Sequence, residues 1–299
     1  MNNTQDQSQM TATDCSLHHL LSVEEPSLAI VIPVNAKGDL NNVLLLLQDI
    51  SQYAGKNRFQ VILVVNNYPP EAPPSDFLDL YRAAGAEVLA LPVLVGHAGI
   101  PPGLKARMAA LQTVQCRAAV FFDADCRIPH PTKCLDWYAH AFTDPSTKLA
   151  YTRIAYFNWP SGVGMWLWLR VHYLWRWTKR NLLRVPTPQG ASYAMDQKLK
   201  CQLYEQGYLA DETAIGRLAQ SFKHKTVYNG SRSCQITTDA RMYENAKPLR
   251  MFTVYAWRRI RINVASFIIR QDSAEHTGRE NDQPHHYDAD GRRIDVNEV

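Results

Sequence analysis

The sequence predicts an α/β fold, a doubly wound and mostly parallel sheet with helices on both faces. Short apolar runs recur along the first half of the chain, and segments with helical periodicity separate them, which is typical of βαβ units with right-handed crossovers. The chain has 299 residues, 46% of them hydrophobic and 20% charged. This composition is that of a globular protein, and the length suits one large α/β domain with an appendage.

Four apolar runs are predicted to be parallel strands, and each ends at a Pro, Asn or Asp. They are residues 28–33, 59–66, 87–92 and 118–123. The helices predicted between them are residues 38–50, about 76–84 and 101–114. Asp39 is suited to cap the first helix. Because the carboxyl ends of parallel strands share one edge of a sheet, the loops at 33–38, 66–70 and 123–128 are expected to form one ligand crevice.

Two aspartates follow the fourth strand directly. Asp123 and Asp125 are separated by one residue, and Pro129 ends the segment soon afterwards. At a turn, this spacing lets both carboxylates reach one hard cation, Mg²⁺ or Mn²⁺. The alternative is a solvated turn at the end of a strand.

Domain boundaries follow from composition. Residues 1–26 are polar and lack the layout of a signal peptide, so they are predicted to be a flexible arm. Residues 27–245 form the main domain, and residues 246–270 form a C-terminal amphipathic helix packed on or beside it. Residues 271–299 are rich in Asp, Arg, His and Asn and are predicted to be disordered. No run of eighteen apolar residues occurs, so no membrane span is expected.

Charge and cysteine usage exclude some functions. The net charge of +4 is modest, so no nucleic-acid partner is expected. The six cysteines lack metal-ligand spacing, which indicates a reduced, cytoplasmic location and no zinc site. No G-x-G-x-x-G follows the first strand and no P-loop motif occurs, which argues against a dinucleotide dehydrogenase and a P-loop NTPase.

The sequence resembles the nucleotide-sugar-dependent glycosyltransferases of family 2, which have the GT-A fold. The resemblance runs from about Leu28 to Asp239 and is carried by the ordered strings IVIPVNAKGDL, VILVVNN, VFFDADC, GASYAMDQ and GYLADETAIGRLAQ. It implies a metal-dependent, inverting transfer of a sugar from a nucleoside-diphosphate sugar to an acceptor hydroxyl. Such a reaction serves polysaccharide, glycolipid or glycoconjugate synthesis, and the acceptor is a carbohydrate, a lipid-linked molecule or a small molecule.

The resemblance also implies which residues bind the nucleoside of the donor. Pro33, Val34 and Asn35 after the first strand lie against the nucleoside, and Asn66 and Asn67 after the second strand contact the base. The family more often has an aspartate at the second position. An asparagine amide can still hydrogen-bond a base, because it carries both a donor and an acceptor.

For the metal side of the donor site, the resemblance of the string VFFDADC implies the following roles. Asp123 faces the ribose and the metal, Ala124 lies beside it, and Asp125 binds the metal that bridges the two phosphates. By the same resemblance, Gly190 to Ser192 are expected to form a turn and short strand where the backbone approaches the sugar; the alternative is an ordinary glycine turn. Lys105 and Arg107, on the helix at 101–114, could reach phosphate, but basic residues on an amphipathic helix usually face water.

The acidic pair that the family places near the acceptor falls on Asp211 and Glu212. The order is reversed from the usual Glu-Asp, and Glu212 aligns with the catalytic base. Displacing a nucleoside diphosphate needs a divalent ion at the leaving group and a carboxylate to take the proton from the attacking hydroxyl. Both acids also precede the helical run at 213–222, where a carboxylate stabilises the helix end by ~0.3–1 kcal/mol without any catalytic role.

Residues 159–184 combine tryptophan with basic residues. Five of the seven tryptophans lie there, and residues 145–195 contain seven Lys or Arg and no acid. A second acid-free stretch covers residues 245–271. This composition is typical of a helix at an anionic membrane surface, which would place the protein peripherally at the inner face of the membrane, or of a groove for a lipid or phosphate acceptor. The alternative is that these aromatic side chains are core.

Rival functions use the same features. A retaining glycosyltransferase or a nucleotidyltransferase would also need acids at a strand end and a divalent ion. A catalytically silent nucleotide-sugar-binding protein is a third alternative, which the reversed order of Asp211 and Glu212 keeps open.

Overall fold

The computed structural model describes residues 15–21, 26–92, 102–159, 162–205 and 212–240. The predicted C-terminal helix at 246–270 and the predicted tail at 271–299 lie outside these residues, as does Asp211.

Nine strands and seven helices form the described structure. The strands are β1 (Leu28–Asn35), β2 (Phe59–Asn66), β3 (Glu87–Leu91), β4 (Ala118–Phe121), β5 (Thr147–Thr152), β6 (Ile154–Phe157), β7 (Tyr193–Asp196), β8 (Lys225–Asn229) and β9 (Ile236–Asp239). The helices are α1 (Leu40–Ser51), α2 (Ser75–Ala83), α3 (Pro102–Thr113), α4 (Pro131–Ala141), α5 (Val163–Asn181), α6 (Gln197–Glu205) and α7 (Glu212–Ser221). A short 3-10 helix at Arg232–Cys234 precedes β9.

Seven strands form one sheet in the order β3-β2-β1-β4-β7-β5-β8. β1 runs parallel to β2 and β4, β2 parallel to β3, and β5 parallel to β8. β7 runs antiparallel to both of its neighbours, β4 and β5. β6 and β9 pair in parallel as a separate ribbon. The predicted fold class, a doubly wound and mostly parallel α/β sheet, is confirmed.

The sheet is covered on both faces. Ile30 and Ile32 of β1 pack into a core with α1, α2 and α4, whereas Ala29 and Val31 pack into a second core with α3, α6 and α7. This period-two division follows from the alternation of side chains along a strand. It also explains why β1 reads as a continuous apolar run, as strands buried on both faces do.

Part of the predicted N-terminal arm is ordered structure. Cys15, Leu17 and Leu20 are buried in the core on the α1 side of the sheet. The backbone N–H of Leu17 donates to the carbonyl of Ala84 at 2.8 Å, and that of Phe59 donates to the carbonyl of Leu20 at 2.9 Å. A flexible arm is therefore wrong for residues 15–21, because these few apolar side chains bury themselves although the segment is polar on average.

Candidate functional site

The loops after β1, β2 and β4 meet at one edge of the sheet, as predicted. Asn35 at the end of β1 pairs in register with Asn66 at the end of β2, and Val31 pairs with Phe121 of β4. α1 and α2 lie on one face of the sheet and α3 on the other. The strand order therefore reverses between β1 and β4, and the crevice outside the carboxyl ends at such a switch point is where α/β sheets bind ligands.

Asn35 and Asn67 form the polar wall of this crevice on the β1–β2 side. The side-chain amide of Asn67 donates to Oδ1 of Asn35 at 2.9 Å, and the same oxygen accepts the N–H of Lys37 at 3.1 Å. Asn67 has a φ of 65°, in the left-handed region that asparagine tolerates better than most residues. Both asparagines are half-buried, so their amides can meet a ligand.

The other residues predicted to bind the nucleoside are inside the protein. Pro33, Val34 and Asn66 are buried. The amide of Asn66 donates to the carbonyl of Val64 at 3.3 Å, and its Oδ1 has no hydrogen-bond partner among the described residues. Direct contact with a base would therefore fall to Asn67 and Asn35 rather than to Asn66.

Asp123 is held by an arginine from the helix before its strand. Nη2 of Arg107 in α3 donates to Oδ1 of Asp123 and, at 3.0 Å, to the carbonyl of Gly190. Arg107 is buried, whereas the Asp123 side chain is 40% exposed and can meet a ligand from the crevice. The expectation that Arg107 faces water is wrong, because its position on α3 faces the sheet edge where a carboxylate and a carbonyl compensate its buried charge.

Gly190 lies where the backbone passes close to this guanidinium. A Cβ at position 190 would lie 3.0 Å from Nη2 and 3.3 Å from Nη1 of Arg107, so a side chain there would displace the arginine or the turn. The turn is fixed further on by Ser192, whose N–H donates to the carbonyl of Gln189 at 2.9 Å. The predicted turn at Gly190 is present, and it brings the backbone to the crevice beside Asp123.

A buried cluster of three hydroxyl groups anchors the turn at Gly190 to the protein interior. The Tyr138 hydroxyl lies 3.2 Å from Oγ1 of Thr152 and 3.2 Å from Oγ of Ser192, and the last two also hydrogen-bond each other. All three residues are buried. Burial raises the pKa of Tyr138, so its hydroxyl stays neutral and serves as a structural hydrogen-bonding group.

Asp125 is held by a different element, β9. Its Oδ1 accepts a hydrogen bond from the hydroxyl of Thr238 at 3.1 Å. Asp125 lies in a turn that is closed by the N–H of Cys126, which donates to the carbonyl of Asp123 at 3.0 Å. Ala124 between the two aspartates is buried. No group of three or more His, Cys, Asp or Glu that could hold a metal occurs among the described residues.

The two carboxylates nevertheless fit a hard divalent cation. Mg²⁺ in particular is commonly bound by one or two carboxylates, with water and substrate phosphate oxygens filling its other positions. Asp123 and Asp125 supply such oxygens on one turn, and both are half-buried. The protein need not supply a third acid if a diphosphate completes the coordination.

The loop that carries the aspartates is tied to α1 by an ion pair. Arg127 donates from Nε to Oδ2 of Asp49 at 2.7 Å and from Nη2 to Oδ1 at 2.6 Å, and the N–H of Ile128 donates to Oδ2 at 2.8 Å. Hydrogen bonding to Asp49 raises the pKa of Arg127. The backbone of Arg127 also pairs with Thr237 of β9 in both directions, at 2.7 and 3.0 Å. The pair of Asp49 and Arg127 was not predicted from the sequence, although an aspartate among the leucines of α1 was a signal.

Of the predicted acidic pair, Glu212 is the first residue of α7. Its side chain and the whole of Asp211 lie outside what the structure describes. The helix itself lies close to the segment that leads to Gly190, because a Cβ at Gly216 would be 2.7 Å from the carbonyl oxygen of Pro186. Catalysis by Glu212 or Asp211 stays a prediction.

Comparisons with known proteins give structural matches only. No protein-family model matches the chain, and no curated protein matches it. TarS of S. aureus is 14% identical, with a TM-score of 0.48, over 76% of this chain and 39% of its own. The chain spans between 39% and 61% of the TarS structures that it matches.

Two further matches have sugar chemistry in their names. The mannosyltransferase PcManGT of Pyrobaculum calidifontis, in complex with GDP-Man and Mn²⁺, is 16% identical over 72% of this chain and 57% of its own, with a TM-score of 0.46. Glucosyl-3-phosphoglycerate synthase of Mycobacterium tuberculosis, in complex with Mn²⁺, UDP and phosphoglyceric acid, is 16% identical over 88% of this chain and 84% of its own, with a TM-score of 0.47. Similarities at this level assign no activity, so the function proposed below rests on the side chains of the site.

Proposed function

We propose that the protein is a glycosyltransferase that uses a divalent cation to move a sugar from a nucleoside-diphosphate sugar to an acceptor hydroxyl, with inversion at the anomeric carbon. The observation that carries the proposal is the pair Asp123 and Asp125, which lies at the switch point of the sheet and is held in place by separate elements. Arg107 of α3 fixes one carboxylate and Thr238 of β9 fixes the other. Such fixed carboxylates suit a diphosphate whose charge a metal neutralises.

The chain's own residues divide the work of the reaction. Asn35 and Asn67 would offer amide donors and acceptors to the nucleoside, and Asp123 and Asp125 would hold Mn²⁺ or Mg²⁺. When bound, such an ion supplies positive charge that stabilises the leaving diphosphate. Arg107 keeps Asp123 oriented and offsets part of the negative charge of the pair. Glu212 would take the proton from the acceptor hydroxyl as the oxygen bonds to the anomeric carbon from the opposite side.

Donor binding is the first test. UDP and GDP binding, measured by calorimetry, should be strong with Mn²⁺ and weak with EDTA, because two carboxylates repel a diphosphate unless a cation bridges them. Asp125→Ala should remove the effect of the metal. The matched control is Asp144→Ala, since Asp144 is a half-buried aspartate like Asp123 and is paired with Lys225 just before β5, at the opposite edge of the sheet. Nucleotide affinities that EDTA leaves unchanged would contradict a metal-bridged donor.

Turnover identifies the reaction. A panel of UDP- and GDP-sugars with Mn²⁺, with and without acceptors, should give a product of inverted anomeric configuration by NMR. Retained configuration would indicate a retaining glycosyltransferase, pyrophosphate release a nucleotidyltransferase, and binding without turnover a silent binding protein. Glu212→Gln should lower kcat by roughly 10²–10⁴-fold while keeping donor affinity. Asp211→Asn should cost less, and the reverse ranking would assign the base to Asp211.

A further inference from the structure

α5 is apolar on two sides. Met165 and Trp168 are buried against the domain. On the opposite side, large apolar residues face outward at spacings of three and four residues, which places them on one stripe. These residues are Val163, Trp166, Leu167, Val171, Leu174 and Trp177, and we call them the α5 outer face. At 1.5 Å per residue, the stripe is about 21 Å long.

The α5 outer face is a patch and not a scatter of single residues. Nine large hydrophobic residues are exposed among those described, and all but Phe222 lie between Val163 and Leu183. Leu174 is 63% exposed and Trp177 is 49% exposed. The core interpretation of the tryptophans is therefore right for Trp168 and wrong for the two on the outer face. Contiguous exposed apolar surface of this kind marks a site of interaction.

The charge around the patch selects the partner. α5 itself carries four basic residues and no acid; the basic residues are Arg170, Arg176, Lys179 and Arg180. On the patch itself, the guanidinium of Arg170 lies 5.0 Å from the ring centroid of Trp166, so its stem covers apolar surface while its charge stays available. A second copy of the chain, related by a two-fold axis, would bring these basic residues against themselves. An anionic surface would neutralise them.

We propose that the α5 outer face lies in the headgroup region of an anionic lipid bilayer. Trp and Leu side chains would enter the boundary between headgroups and acyl chains, and the Lys and Arg of α5 would contact lipid phosphates. The helix would lie parallel to the surface, since none of the described helices has the length and apolar character needed to cross a membrane. This contact requires no catalytic turnover and is independent of the reaction proposed above.

The test is sedimentation of the full chain with vesicles of phosphatidylcholine alone and of phosphatidylcholine with phosphatidylglycerol. Binding to the anionic vesicles should exceed binding to the neutral ones and should fall as salt rises from 0.05 to 0.5 M, roughly the range over which Debye screening becomes strong. The double variant Leu174→Glu/Trp177→Glu should bind the anionic vesicles at least about tenfold more weakly. It loses two apolar side chains that would enter the bilayer, and it adds two negative charges that anionic lipids repel.

The matched control is Phe222→Glu, which changes an exposed apolar residue after α7 in the same way. This variant should keep most of the vesicle binding. The proposal is overturned if the wild-type chain stays in the supernatant with both vesicles at low salt, or if the control loses binding as strongly as the double variant. A dimer in light scattering that dissociates in the double variant, without vesicle binding by the wild type, would assign the face to a second copy instead.

Discussion

α1 and α5 are both rich in large apolar residues, but they place these side chains differently. In α1, Val43, Leu44, Leu46, Leu47 and Ile50 are all buried against the sheet. In α5, only Met165 and Trp168 are buried, and a stripe of equally apolar residues points outward. Apolar content therefore identifies a helix but does not tell which of its faces the protein covers. That depends on whether another element packs on the second side.

Charged side chains differ between the two regions in the same way. Around the candidate site they are paired across elements, Arg127 with Asp49 and Arg107 with Asp123. Near α5, Arg170 lies over the ring of Trp166 and Arg180 lies 3.8 Å from the ring centroid of Tyr228. Pairing of opposite charges fixes the site loops, whereas Arg170 and Arg180 of α5 stack on aromatic rings. The first region is built to hold a geometry and the second to present a surface.

The largest expected effect on stability is at the buried helix. Leu46→Ala in α1 should lower the free energy of unfolding by ~2–5 kcal/mol, since Leu46 is fully buried and its removal leaves a cavity. Urea denaturation followed by circular dichroism measures the change. A loss below about 1 kcal/mol would mean that the core around α1 collapses into the space.

The next effect concerns the ion pair under the aspartate loop. Asp49→Ala leaves the Arg127 guanidinium and the Ile128 N–H without their shared acceptor and should cost about 2–3 kcal/mol. This is less than the ~3–5 kcal/mol of a fully buried pair, because the Arg127 side chain is 39% exposed and water screens it.

The control for the ion pair is Asp79→Ala. Asp79 pairs with Arg82 on the surface of α2, so its loss should change stability by no more than about 0.5 kcal/mol. Equal losses in the two variants would show that the Arg127 pair contributes no more than a surface pair. Pairing of opposite charges would then not be what fixes the loop of the candidate site.

The first four strands, which help to position the site, and the two aspartates that follow one of them, could be predicted from the sequence. β2 has the predicted bounds, and Asp123 and Asp125 follow a buried strand as expected, because a continuous apolar run ended by polar residues has few other interpretations. Asp49 was not predicted as a site residue, and Arg107 was considered for phosphate binding but expected to face water. Each lies in a helix, and its meaning depends on a partner distant in sequence: Arg127 for Asp49, Asp123 for Arg107. Periodicity carries no information about such partners.

Short strands were a second limit. β6, β7 and β9 have four residues each, too few for a period to be read. β7 is the antiparallel strand beside β4, and β6 and β9 form the ribbon from which Thr238 bonds Asp125. These three strands therefore position much of the site. Their pairing is set by contacts between distant segments rather than by local sequence.

The smallest expected effect is at the exposed counterpart of Leu46. Leu174→Ala makes the same change in the middle of α5, where the side chain is mostly exposed, so the free energy of unfolding should change by no more than about 0.5 kcal/mol. Alanine is a slightly better helix former than leucine, which favours a change near zero or a small gain. Urea denaturation alongside Leu46→Ala removes the helix-propensity term from the comparison. A loss at Leu174 as large as that at Leu46 would mean that the α5 outer face is covered within the free protein, since only covered surface costs this much to truncate.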